Sequence, residues 1–228
     1  MAHPLDNALW TALTGPQAHL ALRHGRAARY PADISPFGVT ADPDGWDDLA
    51  VLAGDEGTVL VPDGPAEPPP GWEPVAAIPG VQMDGSGLDV GADSEAVRLG
   101  PADVPEMLDL VARTQPGPFL PRTIVLGTYL GIRRDGALVA MAGERMRPPG
   151  WCEISAVCTD PAYRGQGLAA RLVRAVGAVI RERGEAPFLH TTADNAAIAL
   201  YEKLGFTLRR ELLFTALRVT ARAVAPAR

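Results

Sequence analysis

The sequence predicts a mixed α/β fold with a parallel crossover. Three observations carry that expectation. Short apolar runs alternate with segments whose apolar residues recur every three to four positions after residue 90. Arg134-Asp135-Gly136 separates two apolar runs, a hairpin signal. One long amphipathic segment, 168–183, lies between two such runs, so a helix crosses between parallel strands there. The 228 residues suffice for one or two domains with a sizeable core. A composition of 47% hydrophobic and 21% charged residues is ordinary for a folded chain.

Along the chain, 44–53 reads as a short helix and 58–61 as a short strand. Seven of the 22 prolines lie between Val61 and Gly80, which excludes a regular helix or a central strand there. Residues 83–91 read as turns, and a domain boundary is placed near Val90, dividing 1–90 from 91–228. Beyond it come a strand at 96–99 and a helix at 101–113 with proline in its first turn. The hairpin strands are 126–133 and 137–145, and a further strand covers 151–158. The helix at 168–183 turns Leu168, Leu172, Val173, Val176, Val179 and Ile180 to one side and stops at Gly184. A strand at 187–192, a helix at 196–204 and one or two strands within 206–218 close the chain.

Several function classes fall away. A formal net charge of −6 makes a generic nucleic-acid binder a poor fit. No apolar run approaches the ~18–20 residues of a membrane-spanning helix. The opening Met-Ala-His-Pro-Leu-Asp has no leader pattern, so no signal peptide is expected. Two cysteines and four scattered histidines form neither a disulfide framework nor a metal constellation, and a cytoplasmic setting follows as the expectation.

The segment that carries chemistry is Cys158-Thr-Asp-Pro-Ala-Tyr-Arg-Gly-Gln-Gly-Leu-Ala169. A strand ends, a turn follows, and a glycine-rich loop opens a helix. Unpaired amides and the positive dipole end make that place an anion site, and Arg164, Arg171 and Arg174 add charge. Gly165-x-Gly167-x-x-Ala170 also fits a dinucleotide fingerprint, but too little chain follows Asp194 to complete such a sheet. One strand later stands Asp194-Asn-Ala-Ala-Ile-Ala-Leu-Tyr-Glu-Lys-Leu-Gly-Phe206.

Together, Arg-Gly-x-Gly-Leu-Ala and Asn…Leu-Tyr-Glu-Lys-Leu-Gly-Phe resemble the GNAT acetyltransferase superfamily. Glu153-Ile-Ser-Ala-Val-Cys-Thr-Asp-Pro161 and Met141-Ala-Gly-Glu144 resemble its glycine-N-acyltransferase-like branch. The resemblance implies a mixed sheet splayed open beside strand 151–158, with acetyl-CoA in the cleft and no metal. It implies that backbone of Val157, Cys158 and Thr159 pairs with the pantetheine arm. The pyrophosphate would lie on Arg164, Gly165, Gln166, Gly167, Leu168, Ala169 and Ala170, with Asn195 and Tyr201 completing the coenzyme site. The implied reaction is direct attack of a primary amine on the thioester, the acceptor being a small molecule or peptide and the protein a monomer or homodimer. A non-catalytic acyl-CoA sensor is the alternative.

The family's acid position falls on Tyr201. Glu153 is the preferred base or water holder, with Glu144 across the hairpin and His190 as further candidates, and an ion pair with Arg145 or Arg147 as the competing reading of Glu153. Glu153, Ser155 and Val157 are expected on one face of their strand. Asn195 precedes Tyr201 by six positions where the family has seven, so either Asn195 or Asp194 takes the usual Asn role. Cys158 is read as a strand residue because no paired base accompanies it. By analogy, the first ninety residues are expected to be a degenerate copy of the same fold that covers the open sheet edge or walls the acceptor site.

Overall fold

The computed structural model describes residues 3–220. In chain order the helices are α1 (Ala8–Leu13), α2 (Trp46–Ala53), α3 (Val104–Thr114), α4 (Leu168–Glu182) and α5 (Ile198–Lys203). The strands are β1 (Leu22–His24), β2 (Ala27–Arg29), β3 (Gly38–Thr40), β4 (Thr58–Pro62), β5 (Trp72–Asp84), β6 (Val97–Arg98), β7 (Tyr129–Arg134), β8 (Ala137–Glu144), β9 (Trp151–Thr159), β10 (Ala186–Thr192) and β11 (Thr207–Val219). A small sheet, β1-β2-β3, stands beside an eight-stranded sheet ordered β4-β11-β5-β10-β9-β8-β7-β6. The fold is mixed α/β, as the sequence predicts. No helix among the described residues is long and apolar enough to cross a membrane.

The readable elements form for the reasons the sequence gives. Asp135 and Gly136 both take positive φ (49° and 84°), the primed two-residue turn that matches strand twist, and Arg134 then pairs with Ala137. Helix α4 buries Leu168, Leu172, Val173, Val176 and Ile180 against the sheet, each such side chain contributing about 1.5–3 kcal/mol by leaving water. Val179 is only half-buried, at the margin of that stripe. On the opposite face, α3 packs Met107 and Leu110 with Tyr129, Met141 and Cys158.

The proline-rich stretch departs from expectation. β5 is a central strand although it contains Pro74 and Pro79. The reason lies in its two unequal neighbours. β11 pairs along the whole of it, whereas β10 pairs only from Gly80 to Asp84. The Pro79 carbonyl, facing the β10 side, accepts from Ala193 N–H just past the end of that pairing. Its missing N–H points the same way, past the last pair of the β10 ladder, so at most one terminal bond is forgone. Pro74 lies beside a register shift that leaves Val75 without a partner on β11. The division expected at Val90 does not separate two sheets, because β4 and β5 both lie in the large one.

β9 and β10 open the sheet. They run parallel and pair only over Trp151–Glu153 and Ala186–Phe188, then diverge. β9 also carries a bulge, with Ala156 at φ 53°. Met141 faces Cys158 and Gly143 faces Ser155, so two residues of β9 oppose Ala142. Past the bulge the side chains change faces. Cys158 therefore shares a face with Glu153 and Ser155 and joins the α3 cluster, while Val157 packs toward α4. The expected grouping of Val157 with Glu153 and Ser155 is corrected by that one extra residue.

Candidate active site

The divergence of β9 and β10 leaves a cavity of about 840 Å³, in the range of a small-molecule site. One half lies against the start of α4 and against α5. It is lined by Val157, Cys158 and Thr159, by Tyr163–Ala170 apart from Gln166, and by Asn195, Leu200 and Tyr201. The other half is walled by Phe37, Leu60, Ile78, Leu189 and Phe214, with Arg145, Ser155 and His190 as polar members. Thr114–Pro118, at the end of α3 and just beyond it, close one side.

The glycine loop is built as an anion cradle. Gly165 and Gly167 adopt φ of 78° and 75°, accessible to glycine without strain, and the space where a Cβ would stand is open. α4 begins at Leu168, and Arg171 N–H is the first to close a helical bond, to Gly167 O at 3.1 Å. The amides of Leu168, Ala169 and Ala170 have no i−4 carbonyl inside the helix. Of the three arginines expected to add charge, two are spent. Arg171 pairs with Asp93 (2.6 Å) and Glu95 (3.0 Å), and Arg174 with Asp89 (3.1 Å). Hydrogen bonding from Arg171 holds the Asp93 carboxyl down at about 2, so that pair persists at neutral pH. Arg164 is exposed and meets no carboxylate among the described residues.

The bulge bears on the backbone groups expected to meet a cofactor arm. Asp160 N–H bonds Val139 O across to β8, so alternation turns the backbone of Thr159 the other way, into the cleft. Cys158 sits in register with β8 and is buried. Burial pushes its thiol up to about 11, consistent with an unreactive strand residue.

The structure separates the acid–base candidates. Tyr201 is buried, lines the cavity and meets Phe206 edge-on at 5.8 Å. Burial, aided by the neighbouring Cys158, pushes its phenol up to about 12. Glu144 does not reach the cavity. It stands opposite Ile154 and so points to the other face of the sheet from Glu153. There its Oε1 accepts from Arg183 (2.8 Å) and its Oε2 from Thr128 N–H (3.1 Å). The two carboxylates expected to meet across the hairpin are held apart by strand alternation.

Glu153 is fully buried behind the cavity wall. Arg145 Nε donates to Oε2 (2.8 Å), Arg145 Nη2 to Oε1 (2.6 Å), and His190 Nδ1 to Oε1 (2.7 Å). Burial opposes ionisation, but the Arg145 charge and its hydrogen bonds, with His190 adding to them, outweigh it and hold the carboxyl well below the usual range. A carboxylate so held is a poor proton acceptor.

His190 sits between the rings of Phe188 and Phe214. Gln82 Oε1 accepts from Arg209 (2.8 Å), so its amide nitrogen faces Leu5 O (3.0 Å) and His190 Nε2 (2.9 Å). That network assigns the His190 proton to Nδ1 and leaves Nε2 as an occupied acceptor.

Asn195 rather than Asp194 makes the side-chain hydrogen bonds in the turn before α5. Its Oδ1 accepts from Ala197 N–H (2.8 Å) and its Nδ2 donates to Thr191 Oγ1 (2.6 Å). One amide hydrogen remains for the cavity. The wall residues Phe37, Leu60, Ile78 and Phe214 carry no local sequence signal, since long-range pairing brings them together. Arg145 was legible only as the ion-pair partner of Glu153.

Comparison with known proteins agrees with this architecture. The family of FR47-like proteins matches residues 129–215. N-alpha-acetyltransferase RimI of Mycobacterium tuberculosis is 40% identical over 82 residues, covering 34% of this chain and 51% of that protein. The chain thus spans about half the length of that curated relative. A GCN5-related N-acetyltransferase from Kribbella flavida shares the fold at 17% identity, with a TM-score of 0.60 over 93% of this chain and 95% of the other. A crystal structure from Novosphingobium aromaticivorans, assigned to the GNAT acetyltransferases, is 44% identical, covers 96% of this chain and 100% of its own, and superposes with a TM-score of 0.90. With identity of that order over the whole of a relative, and with the splayed strands and the glycine cradle in place, the chain belongs to the GNAT family of acetyltransferases.

Proposed function

We propose that the protein is an N-acetyltransferase that binds acetyl-CoA in the cleft between β9 and β10 and transfers its acetyl group to a primary amine. The observation that carries this reading is the cradle at the start of α4. Three unpaired amides, two positive-φ glycines with open space and Arg164, which meets no carboxylate among the described residues, fit a pyrophosphate. Acetyl-CoA, when bound, supplies the acyl group as a thioester for direct transfer within a ternary complex. In that transfer an N–C bond forms, the C–S bond breaks, the amine loses a proton and the sulfur gains one.

The protein's own groups supply the rest. A backbone group of Thr159, with the bulge at Ala156 and Val157, lines the arm of the cleft, and an amide freed by the bulge is the oxyanion donor. Tyr201 holds its proton at Oη up to high pH and delivers it to the departing sulfur. Glu153 is a positioning residue that fixes Arg145 and His190, and Glu144 ties β8 to the end of α4. With no Asp or Glu among the described residues of the cavity wall, water takes the amine proton. Asn195 caps the turn before α5 and thereby aims Tyr201. The Glu153–Pro161 motif supports placing the chain in the glycine-N-acyltransferase-like branch, and the setting is proposed to be cytoplasmic with no metal required.

Calorimetric titration with acetyl-CoA, with CoA and NAD as controls, tests the reading before any acceptor is known. Micromolar binding, about −8 kcal/mol, without NAD binding is expected. Acetyl-CoA binding with no thiol release across a broad amine panel shifts the reading to a sensor. No binding removes it.

A further inference from the structure

The acceptor half of the cavity restricts which amine can enter, an inference that rests on the acetyltransferase reading. Its wall is mostly apolar, and among the described residues no Asp or Glu lines the cavity. A polyamine or lysine-rich tail carries further ammonium groups that need carboxylate partners once desolvated, and the wall offers none. Arg145, Ser155 and His190 interrupt that apolar surface, and Arg145 is the guanidinium donor among them. Arg145 is only 7% exposed, spends Nε and Nη2 on Glu153, and stacks over the Phe37 ring at 4.7 Å. Its Nη1 has no hydrogen-bond partner among the described residues, and Arg145 lines the cavity.

The charge on that donor is already cancelled. Glu153 neutralises Arg145, and the Gln82 amide occupies His190 Nε2. A carboxylate brought to Nη1 would leave a net buried negative charge, whereas a neutral carbonyl oxygen accepts the hydrogen bond without that cost. Arg145 and the bulge residues Ser155, Ala156 and Val157 line the same cavity, so the carbonyl and the reacting amine are drawn from one small unit.

We infer that the acceptor is a monoamine on an apolar body bearing a neutral carbonyl, that is, an aminoacyl amide whose carbonyl oxygen accepts from Arg145 Nη1. Such a unit occurs as a small amide or as the first residue of a peptide. After acetyl-CoA binding is measured, thiol release is followed with phenylalaninamide, a phenylalanine-initiated tripeptide amide, phenethylamine, phenylalanine and spermidine. The better of the two amides should exceed phenethylamine about tenfold in kcat/KM, and exceed phenylalanine and spermidine by more. Which amide leads identifies the source.

Arg145→Lys keeps a charge for Glu153 but removes Nη1. It should erase the amide-over-phenethylamine preference through KM and leave acetyl-CoA affinity unchanged. Ile78→Glu, at a position 38% exposed, should raise spermidine relative to the amide. Spermidine or free phenylalanine as the best acceptor, or an intact preference in Arg145→Lys, overturns the assignment. Bound acetyl-CoA with no amine turned over also overturns it while coenzyme binding stands. Failure to bind acetyl-CoA overturns the acetyltransferase reading and this one with it.

Discussion

Tyr201 and Glu153 are both buried, and burial drives them to opposite states. Tyr201 has no cation beside it, so desolvation keeps its proton on. Glu153 has the Arg145 guanidinium beside it and accepts a hydrogen bond from His190 Nδ1, so its proton stays off. Tyr201→Phe should therefore lower kcat about a hundredfold with little change in acetyl-CoA affinity. Because the phenol is pushed to about 12, it should add no alkaline limb to the pH–rate profile below pH 10. Equal turnover for variant and parent would leave Tyr201 as packing. Glu153→Gln should leave the acid limb of that profile unmoved, since Glu153 does not titrate in the working range. Its cost falls on stability, about 3–5 kcal/mol from the uncompensated Arg145. The folded carboxyl value lies below the unfolded one, so this contribution is complete above about pH 4.3 and is lost as pH falls toward the folded value. Denaturation of parent and variant at pH 7 and pH 3 should show the gap narrowing in acid. Arg164→Glu places a carboxylate beside the cradle and should weaken acetyl-CoA binding at least tenfold, on the order of one charge-assisted hydrogen bond. An unchanged dissociation constant would remove the loop from the site.

At the level of elements, the bulge in β9 shapes the cleft. Ala156 holds φ 53° at a position 8% exposed, a conformation that costs a β-branched residue most. Ala156→Gly should be neutral or mildly stabilising, whereas Ala156→Val should cost about 2 kcal/mol and weaken coenzyme binding, both read by denaturant titration and calorimetry. Retention of full stability by the valine variant would mean that the bulge is not strained. The same element shows where sequence reading ends. The hairpin at Asp135-Gly136, the stripe of α4 and the glycine loop are local patterns, and each lies where those patterns place it. The bulge is not local. Nothing in Ser155-Ala156-Val157 marks an extra residue, because it exists only relative to Ala142 on β8. The faces of Val157 and Cys158 were therefore exchanged in the sequence reading, and Glu144 could not be separated from Glu153. β5 was hidden for a related reason. Pro74 and Pro79 read as strand breakers, and only the register shift at Val75 and the short pairing with β10 make them harmless.

For the whole molecule, the first ninety residues decide whether there is a site at all. β5 lies between β10 and β11, and β4 covers the far edge of β11. Residues after 90 alone would leave β10 without its antiparallel neighbour and β11 with no partner on either side. They would also lose Phe37, Leu60 and Ile78 from the acceptor wall, Gln82 from His190, and the Phe37 ring from Arg145. Unpaired strands with apolar faces associate instead of folding. A chain of residues 91–228 is therefore expected to lack a cooperative unfolding transition and to bind no acetyl-CoA, although it contains every motif of the glycine cradle. The full chain is expected to unfold in one transition, because the two segments share a single sheet. Calorimetric unfolding of both chains, with and without acetyl-CoA, checks this. If residues 91–228 melt cooperatively and gain stability from acetyl-CoA, then β4 and β5 are an addition to a complete coenzyme-binding unit, and the N-terminal segment serves the acceptor alone.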